Sequence, residues 1–370
     1  MKTSIKFRLC LSTLFVVVAI QQVVASTGTT YAVGNCKPAL RSFLHIQDAL
    51  NATPPPTMVQ VCPGTYPEQV TIVQPVTLQG ISSGDSDQAI IVPPMGGLMP
   101  NATDDFGSSL AVQLWVDNAS GPVNISNLTV DGTGNGIGTC PPSIVGIFYQ
   151  NSSGTVNRLT SRNQKGNGCG EAVLFEGGSS NPSVTIENSS IHDFDGTGIY
   201  TETNSGLSEL TATIKANVVT VTNPSSPFIG GIDAGSGATT TITGNFVAGV
   251  AYGTAALAGA VGSIFGNTIM NTTGEGIGAG ADGVSVTSNK IFNSPFGINL
   301  FTSLATIQGN SVTNVSVGIE FKPDPNFACA ADPNVHSNTI SDAATGVDQV
   351  PGGVITTNNY YNVATIKTGC

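Results

Sequence analysis

Residues 263–269, Ser-Ile-Phe-Gly-Asn-Thr-Ile, return 22 positions later as Ser-Val-Thr-Ser-Asn-Lys-Ile (285–291) and stand 22 positions after Thr-Ile-Thr-Gly-Asn-Phe-Val (241–247). The same phrase recurs as Thr-Ile-Gln-Gly-Asn-Ser-Val (306–312) and Asn-Val-His-Ser-Asn-Thr-Ile (334–340). Its asparagines Asn245, Asn267, Asn289 and Asn310 are 22, 22 and 21 residues apart. A period of this length marks a solenoid, in which each repeat is one winding. Asn217 and Asn338 each lie 28 residues outside that run, which predicts loop insertions in those two steps.

Within a unit an Ile or Val precedes the Asn by three residues and another follows by two, as in Ile264, Asn267 and Ile269. Both apolar residues then face one interior, and the Asn makes the bend between short strands. Asn suits a bend because it tolerates left-handed backbone angles, and its amide can bond the amides above and below it. A second Asn or Asp follows two residues later, and then a Gly with Ile or Val: Asn271 with Gly276-Ile277, Asn293 with Gly297-Ile298, Asn314 with Gly318-Ile319, Asp342 with Gly346-Val347. Strand, bend, strand, turn and strand close one coil. Stacked in register about 4.8 Å apart, roughly eleven coils make a rod about 50 Å long.

These units resemble the repeats of right-handed parallel β-helices of the pectin lyase-like superfamily, over about Val59 to Val363. The expected fold is therefore all-β, a single-stranded right-handed parallel β-helix. The open end of such a rod is an exposed sheet edge and needs a cover. Residues 42–53, with Phe43, Ile46, Ala49 and Leu50 at helical spacing before Pro54-Pro55-Pro56, predict a capping helix. The expected organisation is a signal peptide at 1–25, an N-terminal segment with the capping helix at 26–58, and the β-helix at 59–370.

Lys2, Lys6 and Arg8 precede an apolar stretch from Leu9 to Ile20 and small residues up to Ala25, which predicts export with cleavage after Ala25. The stretch is short for a membrane span, and no later segment offers one, so the processed chain is expected to lack a membrane span. Losing those three cations takes the formal charge from −11 to −14. The scattered remaining Lys and Arg exclude a nucleic-acid footprint. Six of the seven cysteines remain, and sequence order suggests Cys36 with Cys62, Cys140 with Cys169, and Cys329 with Cys370.

The segment Met58–Ile72, with Ile46–Leu50 before it and Pro75–Gly80 after it, resembles the first coil of pectin methylesterases. That family's catalytic Gln-Asp-Thr and Asp-Phe-Ile-Phe-Gly segments are missing, as are the Asn-Thr-Asp, Gly-His-Gly and Arg-Ile-Lys signatures of polygalacturonases. Methylesterase activity is therefore disfavoured, and Glu68 reads as a capping or solvent-facing residue.

Registering coils on the Gly-Ile step predicts the outward side chains of one face: Phe148 and Gln150, Leu174 and Glu176, Tyr200 and Glu202, Asp233, Asn299 and Phe301, Glu320 and Lys322, and Asp348. Glu176, Glu202 and Asp233 would form an acidic cluster beside Tyr200 and Phe148. About 5 Å apart, such carboxylates split their pKa values, hold a hard cation such as calcium, or act as a catalytic pair. His192 and Asp195 could join them, whereas Asp193 occupies a turn position. A second pair joins Glu320 and Asp348, with Lys322 and Lys290 as candidate bases. Trp115, in an alternation that turns Leu110, Val112, Leu114 and Val116 inward, points out, either to stack on a glycan or to pack beneath the insertion between Pro93 and Phe106. The expected partner is a polysaccharide or cell-surface glycan, acidic glycans included. An enzyme on this face would be a polysaccharide lyase or glycoside hydrolase. The alternative is a non-catalytic extracellular scaffold or adhesin.

Overall fold

The computed structural model describes residues 28–81, 88–204, 209–222, 227–257, 259–301, 304–321, 334–348 and 355–367. The leader, Lys322, Cys329, Cys370 and most of the expected insertions at 223–226 and 322–333 lie outside them. The described chain is almost entirely strand, wound so that each coil adds one parallel strand to each face. Ile214, Ile242, Ile264, Val286, Ile307 and Val335 are successive Cα partners on one face. Val219, Val247, Ile269, Ile291, Val312 and Ile340 are partners on the second. Ile232, Thr254, Ile277, Ile298, Ile319 and Val347 follow one another on the third. Apart from Thr254, these side chains form one continuous apolar core. Parallel crossovers of this kind wind right-handed.

The asparagines form the expected ladder, with the backbone strain moved by one residue. The left-handed angle falls on the residue before each ladder Asn, namely Gly244 (φ 64°), Gly266 (63°), Ser288 (56°), Gly309 (65°) and Ser337 (58°). That turn aims the Asn side chain inward, where Asn267 Oδ1 accepts the backbone N–H and Nδ2 of Asn245 at 2.9 and 3.0 Å. Asn267 Nδ2 donates in turn to the Ile242 carbonyl at 2.9 Å. The pattern runs from Ser189 through Asn217 to Asn358, so buried backbone groups at the corner of every one of these coils are satisfied from the next. The second Asn or Asp is itself left-handed, as at Asn271, Asn293, Asn314 and Asp342, and these residues lie exposed at the opposite corner.

The rod is longer than the repeat count suggests. Thr30–Val33 pairs in parallel with Met58–Val61, and Ser42–Phe43 extends the same sheet to 14 strands. Stacking at about 4.8 Å makes this sheet roughly 60 Å long. Residues 28–58, the described part of the expected N-terminal segment, thus contribute strands to the winding. Its helix is short, Ile46–Leu50, with Ile46, Ala49 and Leu50 buried. Glu68 caps it: the two carboxylate oxygens accept the backbone N–H groups of Ile46 (2.8 Å) and Gln47 (3.0 Å). Disulfides join Cys36 to Cys62 and Cys140 to Cys169.

Candidate functional site

On the third face side chains alternate strictly: Ile199 and Thr201 point in, while Tyr200 and Glu202 point out. Gln150, Glu176 and Glu202 are successive Cα partners, and Leu174, Tyr200 and Asp233 form the parallel row beside them. The register therefore sets Glu176 next to Glu202 but Asp233 opposite Tyr200. The second row continues through Ala255, Gly278, Asn299, Glu320 and Asp348.

The segment 93–108 folds over the upper end of this face. Ala102–Thr103 pairs antiparallel with Ser109–Leu110, and the Gln69 amide clasps both backbone groups of Met99. Beneath it Ala102, Leu110, Val112, Val145, Phe148 and Leu174 form a separate apolar cluster, with Trp115 and Tyr200 at its edge. Three expectations change as a result. Phe148 is fully buried and offers no ring to a sugar. Leu110 and Val112 belong to this outer cluster, whereas Leu114 and Val116 do face the interior. The strand Ser109–Asp117 turns a corner at buried Gln113, whose Nε2 donates to the Ile91 and Asp131 carbonyls, and the corner breaks the alternation. Trp115 is half-buried and lines a cavity of about 550 Å³ with Asn101, Thr103, Asp117 and Gln150.

Glu176 anchors the overlying segment. Its Oε1 accepts the Asp105 backbone N–H, its Oε2 accepts Gln150 Nε2 at 3.0 Å, and only 1% of the residue is exposed. Burial, with the carboxylates of Asp105, Glu202 and Asp104 nearby, pushes its pKa up to about 8 against the opposing Asp105 hydrogen bond. Glu202 is nearly buried and rises to about 7, chiefly by burial, despite a hydrogen bond from Tyr200. Asp233 also rises to about 7, through burial and then the charge of Glu275.

Two acids that the outward register passed over belong here. Glu171 rises to about 8 through burial and the charges of Glu202, Asp104, Asp233 and Glu176, and its Oε2 is sealed without a hydrogen-bond partner. Glu275 is a Cα partner of Tyr252 and Phe296, one position before the Gly-Ile step, and Asn299 Nδ2 donates to its Oε2. Plain alternation would turn Glu275 inward with Ile277, but the ladder skips Gly276 between them, and this break brings Glu275 onto the outward face beside Gly278. Asp233 and Glu275 line a cavity of about 460 Å³ with Tyr252, Leu257, Gly278 and Phe301, a size typical of small-ligand seats. Gly278 keeps its floor open, since a Cβ there would lie 2.5 Å from Glu275 Oε1.

Other expected members lie elsewhere. Asp195 is buried and spent on the backbone N–H groups of Gly166, Gly168 and Gly170, so it shapes the loop closed by Cys140 and Cys169. His192 is a Cα partner of Arg162 and Thr220 on the second face and bonds Asp193, away from Glu202. Asp193 is left-handed, as its turn position implies. Glu320 and Asp348 are Cα partners as expected, but Lys290 lies on the second face beside Thr268 and Ser311. Of the three acids expected to hold calcium, Glu176 accepts hydrogen bonds from Asp105 and Gln150, and Asp233 is the Cα partner of Tyr200. Among the described residues no three His, Cys, Asp or Glu side chains are grouped as metal ligands.

A family model described as a right-handed beta helix region matches residues 230–367. A comparison with curated proteins finds no match. Among solved structures, the catalytic domain of a GH87 alpha-1,3-glucanase in complex with nigerose superposes with TM-score 0.59 at 14% identity, covering 92% of this chain and 66% of that one. The chain thus spans just under two thirds of the glucanase domain. The A-module of a mannuronan C-5 epimerase from Azotobacter vinelandii matches with TM-score 0.53 at 15% identity, covering 84% of this chain and 88% of that one. The Dettilon tailspike protein matches with TM-score 0.53 at 11% identity, over 83% and 62%.

Proposed function

Proceeding from a right-handed parallel β-helix protein of the pectin lyase-like type, we propose that this chain binds a polysaccharide along its third face and hydrolyses it there. The observation that carries this reading is the cavity in which Asp233, with a pKa near 7, faces Glu275 between Tyr252 and Phe301. A carboxyl still protonated near neutral pH is a proton donor for a glycosidic oxygen, and a second carboxylate across the seat is suited to activate water. Asp233 is the proposed general acid and Glu275 the proposed base. Glu202, hydrogen-bonded to Tyr200, extends the acidic wall toward the next sugar. Glu176 keeps its place in the acidic cluster as the residue that holds the overlying segment. The apolar rims of Tyr252, Leu257 and Phe301 suit the C–H faces of pyranose rings.

Two structural neighbours support a glycan as the ligand class, one a glucanase bound to nigerose and one a mannuronan epimerase. Two disulfides support an exported protein; among the described residues no helix is long and apolar enough to cross a membrane.

The test is a screen of the processed protein on neutral glucans, amino-sugar polymers and uronans, reading reducing ends and unsaturated ends separately. The expected result is reducing ends without unsaturation, lost by at least about 100-fold in Asp233→Asn. Unsaturated ends would replace hydrolysis by elimination. Binding without products would make the face a non-catalytic glycan scaffold.

A further inference from the structure

Trp115, the single tryptophan of the chain, takes no part in the seat at Asp233. It stands further up the same outward row, which runs through Phe148, Leu174 and Tyr200 to Asp233 as successive Cα partners. Four ladder steps put it about 19 Å from Asp233. The overlying segment is stitched down between them over three successive coils. Gln150 Nε2 donates to the Thr103 carbonyl at 2.9 Å, the Asp105 N–H donates to Glu176, and Asn204 Nδ2 donates to the Asp105 carbonyl at 3.1 Å. The cavity at Trp115 shares no lining residue with the seat and is a compartment of its own.

Its chemistry is two-sided. Trp115 packs one part of its ring against the apolar cluster beneath the segment, and its Nε1 is sealed, so the indole surface left to the cavity is carbon. Around it stand Asn101, Thr103, Ser109, Asp117 and Gln150. The wall is held in place beforehand: Asn101 accepts the Val112 N–H at 2.8 Å and donates to the Val112 carbonyl at 3.0 Å. Gln150 Nε2 is committed to Thr103 and Glu176, which leaves Oε1 as its acceptor, and Asp117 Oδ1 takes Asn118 Nδ2, which leaves Oδ2. One flat apolar surface ringed by acceptors and hydroxyls matches a pyranose, which has a C–H face and a rim of hydroxyl donors. A lipid chain or an apolar peptide would bury these polar groups without partners. A uronate would meet Asp117 with no Lys, Arg or His in the lining to offset the like charge. Asp117 is the one carboxylate lining the cavity, so the acid and base pair that glycoside hydrolysis needs is missing there.

We propose that the Trp115 cavity is a second, non-catalytic site for a neutral glycan, separate from the seat at Asp233. Two seats on one rigid face raise the hold on a polymer through effective concentration. The inference goes beyond the catalytic reading and stands or falls apart from it.

Because the chain has one tryptophan, its emission reports on this cavity alone. The experiment is a fluorescence titration of the processed full chain, excited selectively at tryptophan, with glucose hexamers in α and β linkage, a mannose hexamer, a galacturonate hexamer, and an apolar peptide lacking tryptophan. At least one neutral hexamer is expected to change the emission saturably, and the galacturonate hexamer and the peptide to leave it unchanged. The midpoint should stay within about threefold in a Tyr252→Ala and Phe301→Ala double variant, checked for wild-type circular dichroism, because the two sites are distant. Asp117→Ala keeps the reporter and should weaken binding by at least about 10-fold. In the double variant, calorimetric binding should vanish with Trp115→Ala and largely return with Trp115→Phe. No response to any neutral hexamer, an equal response to galacturonate, a response to the peptide alone, or loss of the response in the double variant would overturn the second site and leave the reading of the Asp233 seat to its own screen. A tryptophan response to a glycan whose polymer the protein does not cleave would uphold the second site and count against catalysis at Asp233.

Discussion

Replacing Asn267 by Ala opens a single corner of the coil stack. The side chain gives Oδ1 to the Asn245 backbone N–H and Nδ2, and Nδ2 to the Ile242 carbonyl and Asn289 Oδ1. Asn245 Nδ2 keeps its bond to the Ile214 carbonyl, and Asn289 Oδ1 keeps the Asn267 backbone N–H, so those two partners retain a bond. The Asn245 backbone N–H and the Ile242 carbonyl lose theirs in a site with no solvent access at Asn267. Each orphaned group costs about 1–3 kcal/mol, giving about 2–6 kcal/mol for the substitution. Asn293→Gly is the control, because Asn293 is exposed, left-handed at φ 57°, and bonded only to its exposed neighbours Asn271 and Asn314 among the contacts described. That change should cost under about 1 kcal/mol. Solenoids unfold by nearest-neighbour terms, so the assay is native-state hydrogen exchange alongside the urea midpoint. Protection should fall most at Asn245 and in the coils next to it, and remain near wild type around Val59. A loss under about 0.5 kcal/mol, or a uniform fall along the chain, would refute the argument that the ladder holds each corner to the next.

The acidic face also makes stability depend on pH. Glu171 and Glu176 near 8, with Glu202 and Asp233 near 7, are raised above their unfolded values, so the stability they permit is full below about pH 4 and falls as pH rises through 7 to 8. Asp131 acts oppositely: hydrogen bonds from Thr133, Asn163 and Arg162 outweigh its burial and hold it at about 2, so its contribution is lost only as pH falls below about 4. The thermal midpoint should therefore be highest near pH 4 and lower at pH 8, and Glu202→Gln should raise it at pH 8; a flat profile counts against the raised carboxyls. Glu68→Ala removes the acceptor for two helix N–H groups and should cost about 1–2 kcal/mol in denaturant titration without changing glycan binding. Cys140→Ser with Cys169→Ser frees a 29-residue separation, worth up to about 3.5 kcal/mol by loop-closure entropy, measured against the same pair of sites in the oxidised wild type.

The winding was legible because it is written into local chemistry that repeats. Ile264, Asn267 and Ile269 announce two inward positions and a corner, and each neighbouring coil restates them. The row of Tyr200 and Asp233 was reachable for the same reason, since a Gly-Ile step sets the register. The first coil was hidden because Thr30–Val33 lacks the Asn corner and carries no repeat to align. Phe148 was misread because exposure depends on residues 93–108, an insertion outside the period, and nothing in the strand itself shows that a cover lies over it. Asp195 looked free because its partners are backbone N–H groups, which leave no trace in side-chain patterning. Glu275 was hidden because plain alternation groups it with inward Ile277, and the break in the ladder at Gly276 that turns it outward leaves no trace in side-chain patterning.

The most direct measurement is a crystal structure of Asp233→Asn soaked with an oligosaccharide of the polymer that the activity screen selects. The account predicts a sugar ring over Gly278, between Tyr252 and Phe301, with a polar group within hydrogen-bond reach of Glu275. A glycan lying instead against Trp115, or on the face that carries His192 and Arg162, would contradict it.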